Sequence, residues 1–450
     1  METFEGGLGA PTRHPIKWKE PSFVDPKLMD EEMRRVFDVC HSCRRCFNLC
    51  DSFPRLFDII DESDSGELDS VSSSKFDQVE EACTLCDLCY MSKCPYVPPH
   101  EFNIDFPHLI LRYRYAKQLK NSGLSFINKI ITNTDLTGRI GTMFSPIINW
   151  SFSKRNYFTR KTINFLAGIH LKAILPKFNK KTFSQIFNSI KKNNLTTLAS
   201  TSRKVVIYTT CYVNYNLPKI AEAALKVLNN NNVEVQFIYP ECCGMPKLES
   251  GDLESVSKKS MRISKELLPW VKKGYKILTL TPSCSLMLKS EWQLLNPDNE
   301  IIREVSIATQ DICEYIVDIA KEEDFFIGEN IFEKNISLHI ACHTKAQNIG
   351  VKSSEMLKKI PNLKINIIDK CSGHGGSFGV REKTYPLANK YGKISARKLS
   401  NNSNSIIVSE CPLAAQHLGE IDRELSKENI PKKIYHPIEI IAETYLEGKS

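Results

Sequence analysis

At 450 residues, 42% hydrophobic and 25% charged, the chain is too long for one ordinary core and reads as a globular protein of roughly three domains. No stretch approaches the ~18 uninterrupted apolar residues a spanning helix requires, and the opening METFEGGLGAPTRHPIKWKE lacks an apolar signal core, so a cytoplasmic protein with reduced thiols is expected. The net charge of +8 is uneven: residues 111–200 hold sixteen Lys or Arg and one acid, Asp135, which gives that segment +15 and leaves −7 for the rest.

Residues 1–30 are rich in Pro and Gly and are expected to form an extended arm. Residues 31–110 carry two cysteine runs, Cys40, Cys43, Cys46, Cys50 and Cys83, Cys86, Cys89, Cys94. Their spacings, C-x2-C-x2-C-x3-C and C-x2-C-x2-C-x4-C-P, are close to the bacterial two-cluster ferredoxin run. DEEMRRVFDV before Cys40 and KFDQVEEA before Cys83 have apolar residues at helical spacing, and the polar run Asp61 to Lys75 between them reads as an exposed loop. A mostly helical ferredoxin-like domain is therefore expected.

Two-residue gaps let one loop wrap three corners of a cubane cluster, while the fourth ligand comes from elsewhere. In two-cluster ferredoxins the fourth Cys of each run serves the other cluster. That pattern implies one [4Fe-4S] cluster on Cys40, Cys43, Cys46 and Cys94, and a second on Cys83, Cys86, Cys89 and Cys50. Four-cysteine zinc sites are the competing reading, which the third evenly spaced Cys of each run disfavours.

The basic segment 111–200 interleaves its charges with Phe144, Ile147, Ile148, Trp150, Phe152, Tyr157, Phe158, Phe165 and Phe178. Such a stretch suits either an anionic membrane surface or a solvated, partner-facing helical linker.

From Arg203 the pattern becomes short β-branched runs alternating with helical ones. KVVIYTT, VEVQFIYPE and KILTLTP precede Cys211, Cys242 and Cys284, with helices expected at Pro218 to Asn229 and Leu253 to Lys273. The order then recurs: NISLHIA, LKINIIDK and SIIVSE precede Cys342, Cys371 and Cys411, with helices expected at Ser353 to Lys359 and Tyr385 to Leu399. Intervals of 31 and 42 residues in the first copy against 29 and 40 in the second indicate duplication. The fold class expected is therefore α+β and multidomain, with a helical ferredoxin-like domain and basic helical linker followed by two duplicated α/β units at 201–330 and 331–450. In each unit the cysteines fall just past strand ends, where open α/β sheets place their sites.

ECCGMP at Glu241 to Pro246, with one Cys some thirty residues before and another some forty after, resembles the cysteine-rich CCG domain. That domain occurs in heterodisulfide reductase, in the iron–sulfur subunit of glycolate oxidase and in the C subunit of anaerobic glycerol-3-phosphate dehydrogenase. The last two resemble this chain over most of its length. The family pattern is Cys, then CCG, then CxxC. Here Cys211, Cys242, Cys243 and Cys284 are present, but Met287 stands at the final Cys position, so the resemblance implies a cluster on four thiolates rather than five. In the second unit CCG has become Cys371-Ser372-Gly373, and Cys411 has no partner three residues on. Cys342, Cys371 and Cys411, with His343 and His374 nearby, suit an iron–sulfur cluster, a zinc ion, or a vestigial site. Cys313 fits no group and reads as a core residue. The glycines of SGHGGSFG do not fit a dinucleotide fingerprint.

With no flavin or nicotinamide fingerprint in the chain, hydride chemistry falls to a partner. The expectation is a cytoplasmic iron–sulfur electron-transfer subunit, peripheral on the membrane, linking a flavoprotein dehydrogenase subunit to a quinone. The alternatives are a heterodisulfide-type reductase acting at the CCG cluster, an electron donor to a rubrerythrin-like peroxide-handling system, and a zinc-stabilised nucleic-acid protein. No nucleic-acid partner is expected.

Overall fold

A computed structural model describes residues 11–192, 202–322, 324–328, 335–400, 405–426 and 433–445. Helix Pro26–Cys43 opens with Pro at its first position, and the Asp25 side chain caps the Lys27 and Leu28 amides. It buries Met29, Met33, Val36 and Phe37, at i, i+4, i+7 and i+8, against helices Ser52–Asp61, Phe76–Ala82 and Phe106–Lys120. Of the N-terminal cysteines, Cys83 and Cys89 belong to this core, and Cys40, Cys46, Cys50 and Cys94 pack against it. The polar run between the cysteine groups is less open than its composition suggests: Leu68 and Val71 are buried. Arg34 binds their carbonyls from across the helix at 2.7 and 2.9 Å, which sequence spacing cannot report.

The two α/β units have the same topology. Strands β1 (Lys204–Tyr208), β2 (Glu234–Ile238), β3 (Lys276–Thr279) and β4 (Thr309–Asp311) form a parallel sheet in the order β2-β1-β3-β4. Strands β5 (Asn335–His339), β6 (Ile365–Ile368) and β7 (Ser405–Ser409) form a second parallel sheet in the order β6-β5-β7. Setting β5 on β1 superposes the two orders, with β4 the addition, so the duplication is one of fold as well as of spacing. Val205 to Tyr208 are buried without alternation, as expected of a parallel strand covered on both faces. The units share one core: Val205 and Ile207 of β1 and Ile336 and Leu338 of β5 belong to the same apolar cluster. The other face of the first sheet joins helix Phe106–Lys120 through Leu111 and Tyr115.

The basic segment forms helices Phe126–Thr132, Thr134–Met143, Ser145–Phe152, Tyr157–Ala167 and Phe183–Lys192. Two glycines allow close packing: a Cβ on Gly138 would meet the Tyr215 ring of the first unit, and one on Gly141 the Phe178 ring of the segment itself, both within 2.5 Å. Phe152 also packs on Phe178. Its other face is bare. Phe158 and Phe165 are 80% and 87% exposed, and Ile147, Trp150 and Tyr157 are exposed beside them. Among the described residues no helix is long and apolar enough to cross a membrane.

Candidate metal centres

Cys40 and Cys43 lie on the last turn of helix Pro26–Cys43, which stops where Arg44 turns left-handed. The second run follows helix Phe76–Ala82, and left-handed Leu85 and Asp87 fold the chain back before helix Leu88–Ser92. The thiol of Cys40 is pushed well up by burial and then by Cys94, Cys46 and Cys43. That of Cys50 is raised by burial and then by Cys83 and Cys86. Cys89 feels burial, then Cys86, Cys83 and Cys50, with Cys46 more distant. The fold therefore brings Cys94 to the first run and Cys50 to the second. Burial and mutual repulsion hold these thiols protonated, with Cys46 and Cys86 pushed up to about 12. Bound cations would invert that preference.

The thiols also accept backbone N–H bonds of the kind that anchor thiolates at metal sites. Leu85 N donates to Cys83 Sγ at 3.4 Å and Gly373 N to Cys371 Sγ at 3.2 Å. The amides of Ser52, Leu88, Tyr96 and Gly244 serve Cys50, Cys86, Cys94 and Cys242 in the same way. Cys313 is the contrast: it is buried in the shared core and its thiol donates to Asp311. The donor set thus suits iron–sulfur clusters. Among the described residues no three His, Cys, Asp or Glu side chains converge on one ion; a cubane asks for looser spacing, because each thiolate takes a separate iron.

In the first α/β unit the four thiols form a chain. Cys243 and Cys284 Sγ are 3.3 Å apart. Cys211 bonds to Cys242, and Cys242 to Cys243. The hydrogen bonds from Cys211 and Cys243 draw the Cys242 thiol well down. Helix Thr134–Met143 of the basic segment supplies the surround, which sequence reasoning missed. Asp135 accepts from the Cys242 amide at 2.9 Å and from the Tyr239 hydroxyl at 2.6 Å, while Lys259 holds its other oxygen at 2.7 Å. The Thr134 hydroxyl is buried with no partner at ordinary distance, yet lies close enough to help lower Cys242 and to oppose the rise that the Cys242 hydrogen bond and burial impose on Cys211. A lone acid in a strongly basic segment was the signal for Asp135. Trp292, fully buried, donates to the Cys243 carbonyl at 3.0 Å. Met287, at the fifth-thiolate position, begins a π-helical turn and is fully buried, its methyl facing Gly244.

The second unit's cysteines link the other groups. Cys342 feels Cys86, Cys371 and Cys411 after burial, and Cys411 feels Cys284. Helix Cys342–Ala346 touches helix Leu88–Ser92 on one side and helix Pro282–Leu286 on the other. The four groups accordingly form a row: first run, second run, second unit, first unit. His343 does not turn to this triad; burial keeps it neutral while its ring meets the Leu85 backbone and faces Asp87 and Glu291. His374 pairs with His417, ring centroids 6.1 Å apart.

Residues 205–289 and 336–418 each match the cysteine-rich CCG domain. The C subunit of the anaerobic glycerol-3-phosphate dehydrogenase of Escherichia coli (strain K12) is 25% identical over 324 residues, 71% of this chain and 77% of that protein. The B subunit of the fumarate reductase (CoM/CoB) of Methanothermobacter marburgensis is 24% identical over 249 residues, 54% of this chain and 46% of that protein. Lactate utilization protein A of Bacillus pumilus is 27% identical over 186 residues, 40% of this chain and 75% of that protein. Both matches fall on the duplicated sheets whose strand ends carry the thiols, so the chain carries two cysteine-rich CCG domains in the manner of the CCG-domain iron–sulfur oxidoreductase family.

Proposed function

We propose that the chain is the iron–sulfur subunit that carries electrons from a flavoprotein dehydrogenase, of glycerol-3-phosphate or 2-hydroxy-acid type, to a quinone in the membrane. The observation that carries this reading is the unbroken row of four thiol groups. Cys40, Cys43, Cys46 and Cys94 would hold one [4Fe-4S] cluster, and Cys50, Cys83, Cys86 and Cys89 a second. Cys211, Cys242, Cys243 and Cys284 would hold a third centre, and Cys342, Cys371 and Cys411 a cluster or a zinc ion. Each cluster supplies one-electron redox chemistry. The chain fixes their spacing, excludes water and tunes them with the N–H donors and the Thr134 hydroxyl. The packed Met287 in place of a fifth thiolate speaks against heterodisulfide reduction at the first unit.

The crossed assignment has a direct test by paramagnetic resonance of the reduced protein. Cys94→Ser is expected to abolish the same signal as Cys40→Ser, and Cys50→Ser the same signal as Cys83→Ser. If Cys94→Ser and Cys83→Ser instead removed one common signal, the crossing would be wrong.

Support for a peripheral membrane position comes from the bare aromatic face of helices Ser145–Phe152 and Tyr157–Ala167 within a segment of net charge +15. Aromatic side chains at the interface and cations at the headgroups bind anionic surfaces together. The protein is expected to sediment with anionic liposomes at moderate salt and to stay in solution with neutral ones. Equal partition in both would remove the membrane from the account.

A further inference from the structure

A cavity of about 880 Å³ opens between the second cysteine run, the basic segment and the second α/β unit, and Cys83 is part of its wall. The SGHGGSFG loop, which no cluster assignment uses, closes one side. Gly375 and Gly376 are both left-handed there, at φ 45° and 57°. A Cβ on Gly375 would meet Thr84, the neighbour of Cys83, at 2.7 Å, and one on Gly376 would collide with the Glu249 carboxylate. The glycines therefore hold open a space beside the second run.

Much of the wall is charged but paired, Arg114 and Lys117 with Glu80 and Lys383 with Glu81, while several polar groups are unspent. Arg381 bonds to Asn128 Oδ1 at 2.6 Å and to the Ala167 carbonyl at 3.4 Å, with no carboxylate against it among the described residues. Gln118 Oε1 is buried without a partner. Glu249 lines the space, where burial pushes its carboxyl up to about 7 although Arg114 pulls it down. Leu124 and Phe378 supply apolar wall. The rim includes Ser125, which caps helix Phe126–Thr132, and Gly168, which ends helix Tyr157–Ala167. Phe126 and Phe165 on those helices are 78% and 87% exposed, so exposed aromatic side chains stand on two helices that meet the cavity wall.

We propose that this cavity binds a quinone-class carrier: a flat ring with two oxygen functions, entering from the apolar face with its ring between Leu124 and Phe378. The Arg381 guanidinium suits a ring carbonyl; Gln118 Oε1 and Glu249 suit the hydroxyls of the reduced ring. A phosphate-bearing ligand fits poorly, because Arg114 and Lys117 are taken by Glu80 and Lys383 by Glu81, and Glu249 and Glu382 stand in the same wall. The proposal rests on the electron-transfer reading. Reduction of the ring to the hydroquinone would take two electrons, which iron–sulfur centres held by the neighbouring cysteines would supply one at a time, and two protons drawn from solvent through the cavity.

Equilibrium dialysis of menadione against the oxidised full-length protein tests the site without turnover. One saturable site is expected. Leu124→Trp, which fills the cavity, and Arg381→Gln, which removes the cationic donor, should each weaken it by roughly tenfold or more. Iron and sulfide content should be unchanged. Binding equal to wild type in both variants, or no binding by wild-type protein that contains iron and sulfide, would overturn the site. A preparation lacking iron and sulfide that still binds menadione in a Leu124- and Arg381-dependent way would support the site and overturn the electron-transfer reading instead.

Discussion

Arg13→Ala is expected to destabilise the protein by about 3–5 kcal/mol, the cost typical of orphaning buried charges. The guanidinium is itself buried and meets three carboxylates: Asp87 at 2.9 Å, Asp105 at 2.8 Å and Glu291 at 3.4 Å. Asp87 and Asp105 belong to the cysteine-rich N-terminal half, whereas Glu291 ends the π-helical turn that starts at Met287. One side chain near the N-terminus thus ties the first two cysteine runs to the first α/β unit. Burial alone would raise Asp105, but His108 and Arg13 hold it down to about 2. Without Arg13 the acids would face only the imidazoles of His108 and His343, and the proton affinity of Asp105 and Glu291 would rise. Stability of the variant should therefore fall as pH rises, and its deficit against wild type should shrink toward acid pH. Urea unfolding at two pH values measures both effects. Arg13→Lys keeps the charge but loses the fork that serves two carboxylates at once, so it should recover only part of the loss. A deficit under about 1 kcal/mol for Arg13→Ala, near the scale of an exposed pair, would mean the cluster is not the tie it looks like.

The second large effect is acid lability of the second α/β unit. His339, His417 and His436 are held neutral, pulled down by burial to about 4, 4 and 3. His339 lies in β5 between Ser409 Oγ at 3.0 Å and the Lys370 carbonyl at 3.1 Å. His436 accepts the Ile438 amide at 3.2 Å as the cap of helix Pro437–Thr444. Folded values below the unfolded one mean that the unfolded chain binds more protons in acid. Stability is then full above about pH 6.5 and is lost as pH falls toward the folded values. At pH 5 each imidazole removes roughly 2 kcal/mol, and the three together about 6 kcal/mol. His436→Asn keeps a capping side chain, so it should be nearly neutral at pH 7 and more stable than wild type by about 2 kcal/mol at pH 5. Parallel acid unfolding curves for the two proteins would contradict the assignment.

Much of the architecture was legible because its signals are local. Each cysteine of the α/β units follows a β-branched run, and helices expected at Pro218 to Asn229 and Leu253 to Lys273 form at Lys219–Asn230 and Leu253–Lys272. What escaped depends on residues distant in sequence. Arg13 and Glu291 are 278 positions apart, and Asp135 and Cys242 are 107 apart. Nor does periodicity reveal that the least complete cysteine group lies between two fuller ones, since Cys342 meets Cys86 and Cys411 meets Cys284 only after both sheets have formed. Periodicity likewise left open which aromatics of 111–200 face outward: Phe178 turns inward onto Gly141 while Phe158 and Phe165 stand clear. Strand β4 is three residues long and continues directly into helix Ile312–Ile319, too short for an alternation to register.

Iron, acid-labile sulfide and zinc quantitation on anaerobically purified protein, read with paramagnetic resonance of the reduced form, tests the central claim most directly. The two N-terminal runs alone predict a brown protein with about eight irons and eight sulfides per chain and the signal of two interacting [4Fe-4S] clusters. Iron beyond that would come from the α/β units. A colourless protein with zinc in place of iron and no labile sulfide would contradict the account.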